Sequence, residues 1–215
     1  MVKEWLPVEP NSREAPQLLV FWKERLVFLA VPKTGTQAYA AALAPHAGMV
    51  ITDPPELKHA PVYRYNRFIR PMFEKVMDAE LELMAVIREP VSWLGSWYRY
   101  RRRPFMAGRP GSTHEVDFDT FVEGWMHGER PEYANVGSQA KFVEARPNGC
   151  RVSHFFRYEQ QDRLDAFLSE RLGVAIEVPR RNVSPQEQLS LSAAIEKRLR
   201  RKCAEEFELW ENSGA

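Results

Sequence analysis

Three short strand-like segments, two of them unbroken apolar runs, divide the chain, and each gives way to a turn and then to a segment with helical spacing. Residues 26–31, Leu-Val-Phe-Leu-Ala-Val, form a continuous apolar run of strand length, the pattern of a strand covered on both faces. The run stops at Pro32, and a short Lys33-Thr34-Gly35-Thr36 turn follows. Residues 36–43 then supply helix-forming alanines, with Pro45 just beyond the expected end. Residues 83–87 repeat the arrangement: a buried strand ends at Arg88-Glu89-Pro90, and a helix is expected over 91–101. A third strand is expected over 151–156, followed by a helix over 159–172 that Gly173 closes.

The remaining segments fill the gaps between these units. Residues 1–17 are rich in Pro and Glu and read as an irregular N-terminal arm, with Trp5 and Leu6 available to pin it to a single domain over 18–215. A loop is expected around Asp53-Pro54-Pro55, and a helix over 61–76 with Pro61 at its first turn. Residues 104–116 read as an excursion. Phe118, Phe121, Val122, Trp125 and Met126 recur at helical spacing, and a short helix over 139–145 ends at the turn Pro147-Asn148-Gly149. One long terminal helix is expected over 185–210. Alternating strands and helices predict an α/β domain in three layers, α/β/α, with a mainly parallel central sheet and ligands at the carboxyl ends of its strands.

Composition narrows the function classes. The 215 residues suffice for a full core, and 44% hydrophobic with 27% charged residues is the balance of an ordinary globular protein. A net charge of +1 gives no global field toward nucleic acid or a membrane, so no nucleic-acid partner is expected. The positive charge is mostly arginine, whose planar fork suits phosphate, sulfate and carboxylate. Cys150 and Cys203 lie far apart with no metal-ligand spacing, so reduced thiols and no metal are expected. The N-terminus lacks the apolar core of a signal peptide, and no run approaches the roughly 18 apolar residues of a membrane span, so the cytoplasm is the expected location.

The turn after the first strand carries the first chemistry. Gly35 permits a tight turn and close approach of a ligand, Thr34 and Thr36 add hydroxyls, the helix start adds partial positive charge, and Lys33 adds a full one. This is not the Gly-x-x-x-x-Gly-Lys-Ser/Thr loop of nucleoside triphosphatases, because the lysine precedes the glycine. The plain alternative is a strand-to-helix turn with a surface lysine. The second constellation is Arg88, at the end of a buried strand, with Ser96 about two turns into the next helix. A guanidinium and a hydroxyl can clamp a second phosphate. Alternatively, Arg88 pairs with Glu89 or another carboxylate and Ser96 only packs.

Together these segments resemble the sulfotransferases that use 3′-phosphoadenosine 5′-phosphosulfate (PAPS), with the closest flavour in the bacterial and carbohydrate-type branch. Pro32-Lys33-Thr34-Gly35-Thr36 is similar to the family's 5′-phosphosulfate loop, and Arg88-Glu89-Pro90 through Ser96-Trp97-Tyr98 to its 3′-phosphate motif. Weaker likeness extends to Arg157-Tyr158-Glu159, Asn182-Val183-Ser184 and Phe207-Glu208-Leu209-Trp210. Gln37 departs from the small hydroxyl residue that the family often has there. The resemblance implies a P-loop NTPase-like sulfotransferase fold and transfer of a sulfuryl group from PAPS to an acceptor hydroxyl of a glycan or small molecule, leaving 3′-phosphoadenosine 5′-phosphate (PAP). It implies Lys33, Thr34, Gly35, Thr36 and Gln37 at the 5′-phosphosulfate, and Arg88, Ser96, Arg180 and Arg181 at the 3′-phosphate. Lys33 is then expected at the bridging oxygen and His59 as the base on the acceptor, with Asp53 and Glu56 as substitutes. Tyr98 to Arg103 is either a contact for an anionic acceptor or a solvated helix end. Two other readings are a P-loop-like small-molecule kinase or phosphotransferase, and a nucleotide- or glycan-binding module without turnover.

Overall fold

Leu18–Phe21 (β1) and Leu26–Leu29 (β2) are joined by only the four residues 22–25, with the Arg25 amide donating to the Trp22 carbonyl at 3.2 Å. So short a link forces an antiparallel hairpin, since a parallel crossover needs a dozen residues or more. Met49–Ile51 (β3) adds to the far side of β1, also antiparallel. Glu82–Ile87 (β4) pairs parallel with β2, and Val152–Arg157 (β5) pairs parallel with β4. The sheet order is β3-β1-β2-β4-β5. The computed structural model describes residues 18–176, 178 and 189–214, so the arm over 1–17, Arg180, Arg181 and Asn182-Val183-Ser184 lie outside the described residues.

The expected mainly parallel sheet is therefore a mixed one, parallel on the β2-β4-β5 side and antiparallel on the β1-β3 side. The helices are, in chain order, α1 Thr36–Leu43, α2 Pro55–Lys58, α3 Val62–Arg64, α4 Arg70–Met77, α5 Pro90–Arg101, α6 Phe118–Trp125, α7 Gln139–Val143, α8 Gln161–Leu172, α9 Ala193–Lys202 and α10 Ala204–Asn212. A π turn over Tyr65–Ile69 joins α3 to α4. Pro71 has no amide to close an ordinary helical turn, so the chain widens just before it.

Alternation along β1 and β2 sends side chains to both faces. Leu18, Val20, Val27 and Leu29 meet Val62, Tyr65, Ile69 and Phe73 on one side, and Phe142 and Val143 of α7 join them. Leu19, Phe21, Leu26 and Phe28 meet Tyr39 and Leu43 of α1 and Leu164 and Leu168 of α8 on the other. Both faces of the sheet are thus covered by helix, which explains the unbroken apolar runs. A separate aromatic core joins α5, α6, α9 and α10 through Trp93, Tyr98, Phe121, Trp125, Leu199 and Phe207.

The expected single helix over 185–210 is broken at Cys203, whose backbone leaves the helical region (φ −124°, ψ 43°). The break lets α9 pack along α6 while α10 turns onto α7. There the buried Glu206 carboxylate accepts hydrogen bonds from the Ser138 hydroxyl and, at 3.3 Å, from the Ala140 amide at the start of α7. As expected, α8 ends at Gly173, in the left-handed conformation with φ 66°.

Candidate functional site

β2 ends beside β4, and the loop that leaves it is built around two residues with positive φ, Lys33 at 68° and Gly35 at 76°. Thr34 between them is buried, and its hydroxyl donates to the Val31 carbonyl at 2.8 Å. The expected ligand contact from that hydroxyl hydrogen is therefore spent inside the loop. Thr36 is buried as the first residue of α1, whereas Gln37 is exposed one position on. The Trp93 indole N–H donates to the Pro32 carbonyl at 2.8 Å and ties the loop to α5. The first amides of α1 have no intrahelical acceptor, and no acidic residue sits in that turn. They carry the partial positive charge of the helix end.

Arg88, at the carboxyl end of β4, meets this loop directly. Its Nη1 donates to the Lys33 carbonyl at 3.3 Å, and its Nε donates to the Ser92 hydroxyl at 2.9 Å. The guanidinium lies 4.4 Å over the Tyr158 ring, which in turn covers Gly35. Gln139, fully buried, clamps the Arg88 backbone: its side-chain oxygen accepts from the Arg88 amide at 3.0 Å, and its side-chain nitrogen donates to the Arg88 carbonyl at 2.9 Å. Glu89 caps α5 by accepting from the Ser92 amide at 2.6 Å. Among the described residues Arg88 makes no ion pair, so the alternative of an Arg88–Glu89 pair fails. Ser96 lies one helical turn beyond Ser92, on the same face of α5. The hydroxyl on Arg88 is thus Ser92, with Ser96 next along the stripe.

That stripe continues into Arg99 and Arg103, and both lie close enough to repel the Lys33 ammonium. Lys33 Nζ rests 4.4 Å over the Tyr100 ring and 5.8 Å over Trp97. Burial, reinforced by Arg103, Arg88 and Arg99, lowers its pKa from 10.5 to about 8. Among the described residues, none of these four cations has a carboxylate within ion-pair distance, although Glu159 and Glu89 act on Arg88 from further off. The indole N–H of Trp97 is buried without a hydrogen-bond partner among the described residues. The rest of the Tyr98 to Arg103 run is structural. Tyr98 is buried and donates to the Val116 carbonyl at 2.9 Å, Arg102 donates to the Tyr98 hydroxyl, and Arg101 donates to the carbonyls of Gly111, Glu132 and Asn135.

His59 follows α2 and is partly buried. Its Nδ1 lies 2.8 Å from the Ala30 carbonyl, at the root of the loop. A carbonyl only accepts, so Nδ1 carries the hydrogen and Nε2 keeps its lone pair in the neutral ring. Burial lowers the His59 pKa below 6.5, Lys58 adds to the effect, and the Ala30 bond opposes it. Asp53 and Glu56 are exposed nearby.

The weaker segments of the resemblance also meet. Arg157 Nε donates to the Trp210 carbonyl at 2.9 Å, and the Trp210 indole donates to Glu159 at 3.0 Å, so α10 braces both neighbours of Tyr158. Sequence reading passed over Ser92, Tyr158 and Gln139 as site residues. Tyr158 had one signal, its place at the carboxyl end of a parallel strand like Arg88; Gln139 had none. No family model, curated protein or solved structure matches this chain. The arrangement can hold a compact polyanion, with separate anionic groups at the Gly35 loop and at Arg88, beside an imidazole nitrogen able to accept a proton.

Proposed function

We propose that this chain is a PAPS-dependent sulfotransferase on a P-loop NTPase-like scaffold, working on a hydroxyl-bearing glycan or small molecule in the cytoplasm. The observation that carries the reading is the cluster of Lys33 and Arg88, at the carboxyl ends of β2 and β4, with Arg99 and Arg103 from the end of α5, without a carboxylate in ion-pair distance among the described residues. Mutually repelling cations, of which Lys33, Arg88 and Arg99 are at least partly buried and Arg103 is exposed, call for a ligand with several negative charges. The donor set, made of ammonium, guanidinium, hydroxyl and backbone N–H, fits phosphate and sulfate oxygens. Cys150 and Cys203 are both free, in keeping with a reducing compartment.

In this reading the loop amides hold the 5′-phosphosulfate, and Arg88 with Ser92 and Ser96 takes the 3′-phosphate. The donor supplies an activated sulfuryl group. The acceptor oxygen attacks sulfur as the bond to the bridging phosphate oxygen breaks, and Lys33 neutralises the charge that develops on that leaving oxygen. His59 Nε2 takes the acceptor proton, while its Nδ1–H stays on Ala30 and fixes the ring. Titration calorimetry with PAP and with ATP–Mg decides the donor: PAP is expected to bind the chain, and tight ATP–Mg binding without PAP binding refutes the assignment.

A further inference from the structure

On the sheet face that carries α3 and α4, large apolar side chains stand in solvent. Phe68, Met72 and Val76 are 58, 42 and 78% exposed, and they follow one another at four-residue spacing along the π turn and α4. This row lies beside the buried row Tyr65, Ile69 and Phe73, so the apolar face of the helix is wider than the core requires. Trp22, at the tip of the β1–β2 turn and 43% exposed, faces Met72, Val76 and Met77 across a cavity of about 320 Å³. Two separate elements therefore present apolar tips to the same side.

The next row around the helix is cationic. Arg67 and Lys75 are exposed on either side of Pro71, and Arg64 lies a turn earlier. The hairpin turn adds exposed Lys23 and Arg25 beside Trp22. The acidic groups here are largely engaged: Arg70 Nε holds Glu74 at 2.6 Å and Arg70 Nη2 reaches Glu80 at 3.5 Å, which leaves Asp78 past the last turn and Glu24 in the hairpin.

We propose that this face docks the protein on an anionic lipid bilayer, with Phe68, Met72, Val76 and Trp22 entering the interface and Arg64, Arg67 and Lys75 at the headgroups. An apolar row bordered by a basic row is the chemistry of an interfacial amphipathic helix. Tryptophan is at home at that depth, and long basic side chains bury their stems while their charges stay wet. A second copy of the chain is the poorer fit: the neighbouring sheet edge, β3, has only three residues and offers little to pair with. The proposal does not depend on the sulfuryl-transfer reading.

Vesicle flotation tests it on the full chain, using phosphatidylcholine vesicles with and without phosphatidylserine. The wild type is expected to float with the phosphatidylserine vesicles and to be released by salt. Phe68→Ser/Val76→Ser and Arg67→Glu/Lys75→Glu should each lower the partition coefficient tenfold or more, with melting temperature unchanged. Flotation with neither vesicle, or equal flotation of wild type and variants, overturns the proposal. So does a concentration-dependent dimer in sedimentation velocity that Phe68→Ser/Val76→Ser dissolves, since that face would then belong to a second copy.

Discussion

Replacing Gly35 with alanine should damage both the fold and the anion site, and the two parts can be separated. The backbone there has φ 76°, and an added Cβ would lie 2.9 Å from Cε2 and 3.3 Å from Cδ2 of Tyr158. The left-handed conformation alone costs an L-residue roughly 1–2 kcal/mol. Gly173 provides the matched control, with φ 66° and nothing within 4 Å of an added Cβ. Gly173→Ala should therefore lower the melting temperature by roughly 2–8 °C, at about 2–4 °C per kcal/mol for a domain of this size. Gly35→Ala adds overpacking against a ring, about 1–3 kcal/mol more, for a total of roughly 2–5 kcal/mol. The ring is not free to yield without consequence, because it lies 4.4 Å under the Arg88 guanidinium. Displacing it disturbs a charged hydrogen-bonding group, and PAP affinity should fall roughly ten- to a hundredfold. Differential scanning calorimetry and titration with PAP read the two effects. Adding Tyr158→Ala to Gly35→Ala should recover the steric part, giving a non-additive cycle. If Gly35→Ala melts like Gly173→Ala and binds PAP like the wild type, the packing argument is wrong.

Other outcomes follow from the same geometry. Lys33 has a folded pKa of about 8 against 10.5 unperturbed, so the folded state binds fewer protons than the unfolded one between those values, and stability should rise with pH across that window. Lys33→Met should flatten that slope in urea titrations, and PAP affinity of the wild type should fall as pH rises past about 8, where Lys33 loses its charge. For His59, whose pKa is lowered, protonation on acidification costs stability and removes the base, so the rate should fall with pH below an inflection under 6.5. His59→Asn keeps a donor for the Ala30 carbonyl yet should lose about 10²–10⁴-fold in kcat with PAP binding intact. Gln139→Leu strands the buried N–H and C=O of Arg88 and should cost roughly 2–5 kcal/mol in urea denaturation; an unchanged midpoint would show that water replaces the amide.

The legible parts of the sequence were those in which one residue type does one local job. Continuous apolar runs marked β2 and β4, and proline and glycine marked where they stop. Lys33, Arg88 and the loop at Gly35 were legible because a strand end fixes which way the chain leaves the sheet. On the β1–β3 side, Leu18–Phe21 is as apolar and as long as β2 and was passed over, whereas Met49–Ile51, at three residues, carries too little periodicity to separate from loop. The break at Cys203 has no glycine or proline to announce it; it follows from the seat that Glu206 takes on α7, a contact 66 residues distant in the chain. Gln139 was invisible for the same reason: nothing local requires a glutamine there, and its role exists only once α7 lies against the end of β4.

The bracing of Tyr158 by α10 bears on how the protein is made. Arg157 and Glu159 hold Trp210 from either side of the Tyr158 position, so the ring over Gly35 and Arg88 is buttressed only after residues 204–212 have left the ribosome. Chains fold from the N-terminus forward during synthesis. A nascent chain that already owns every strand of the sheet, the Gly35 loop and Arg88 still lacks the buttress, so the Tyr158 ring settles over Gly35 and Arg88 only once α10 has docked.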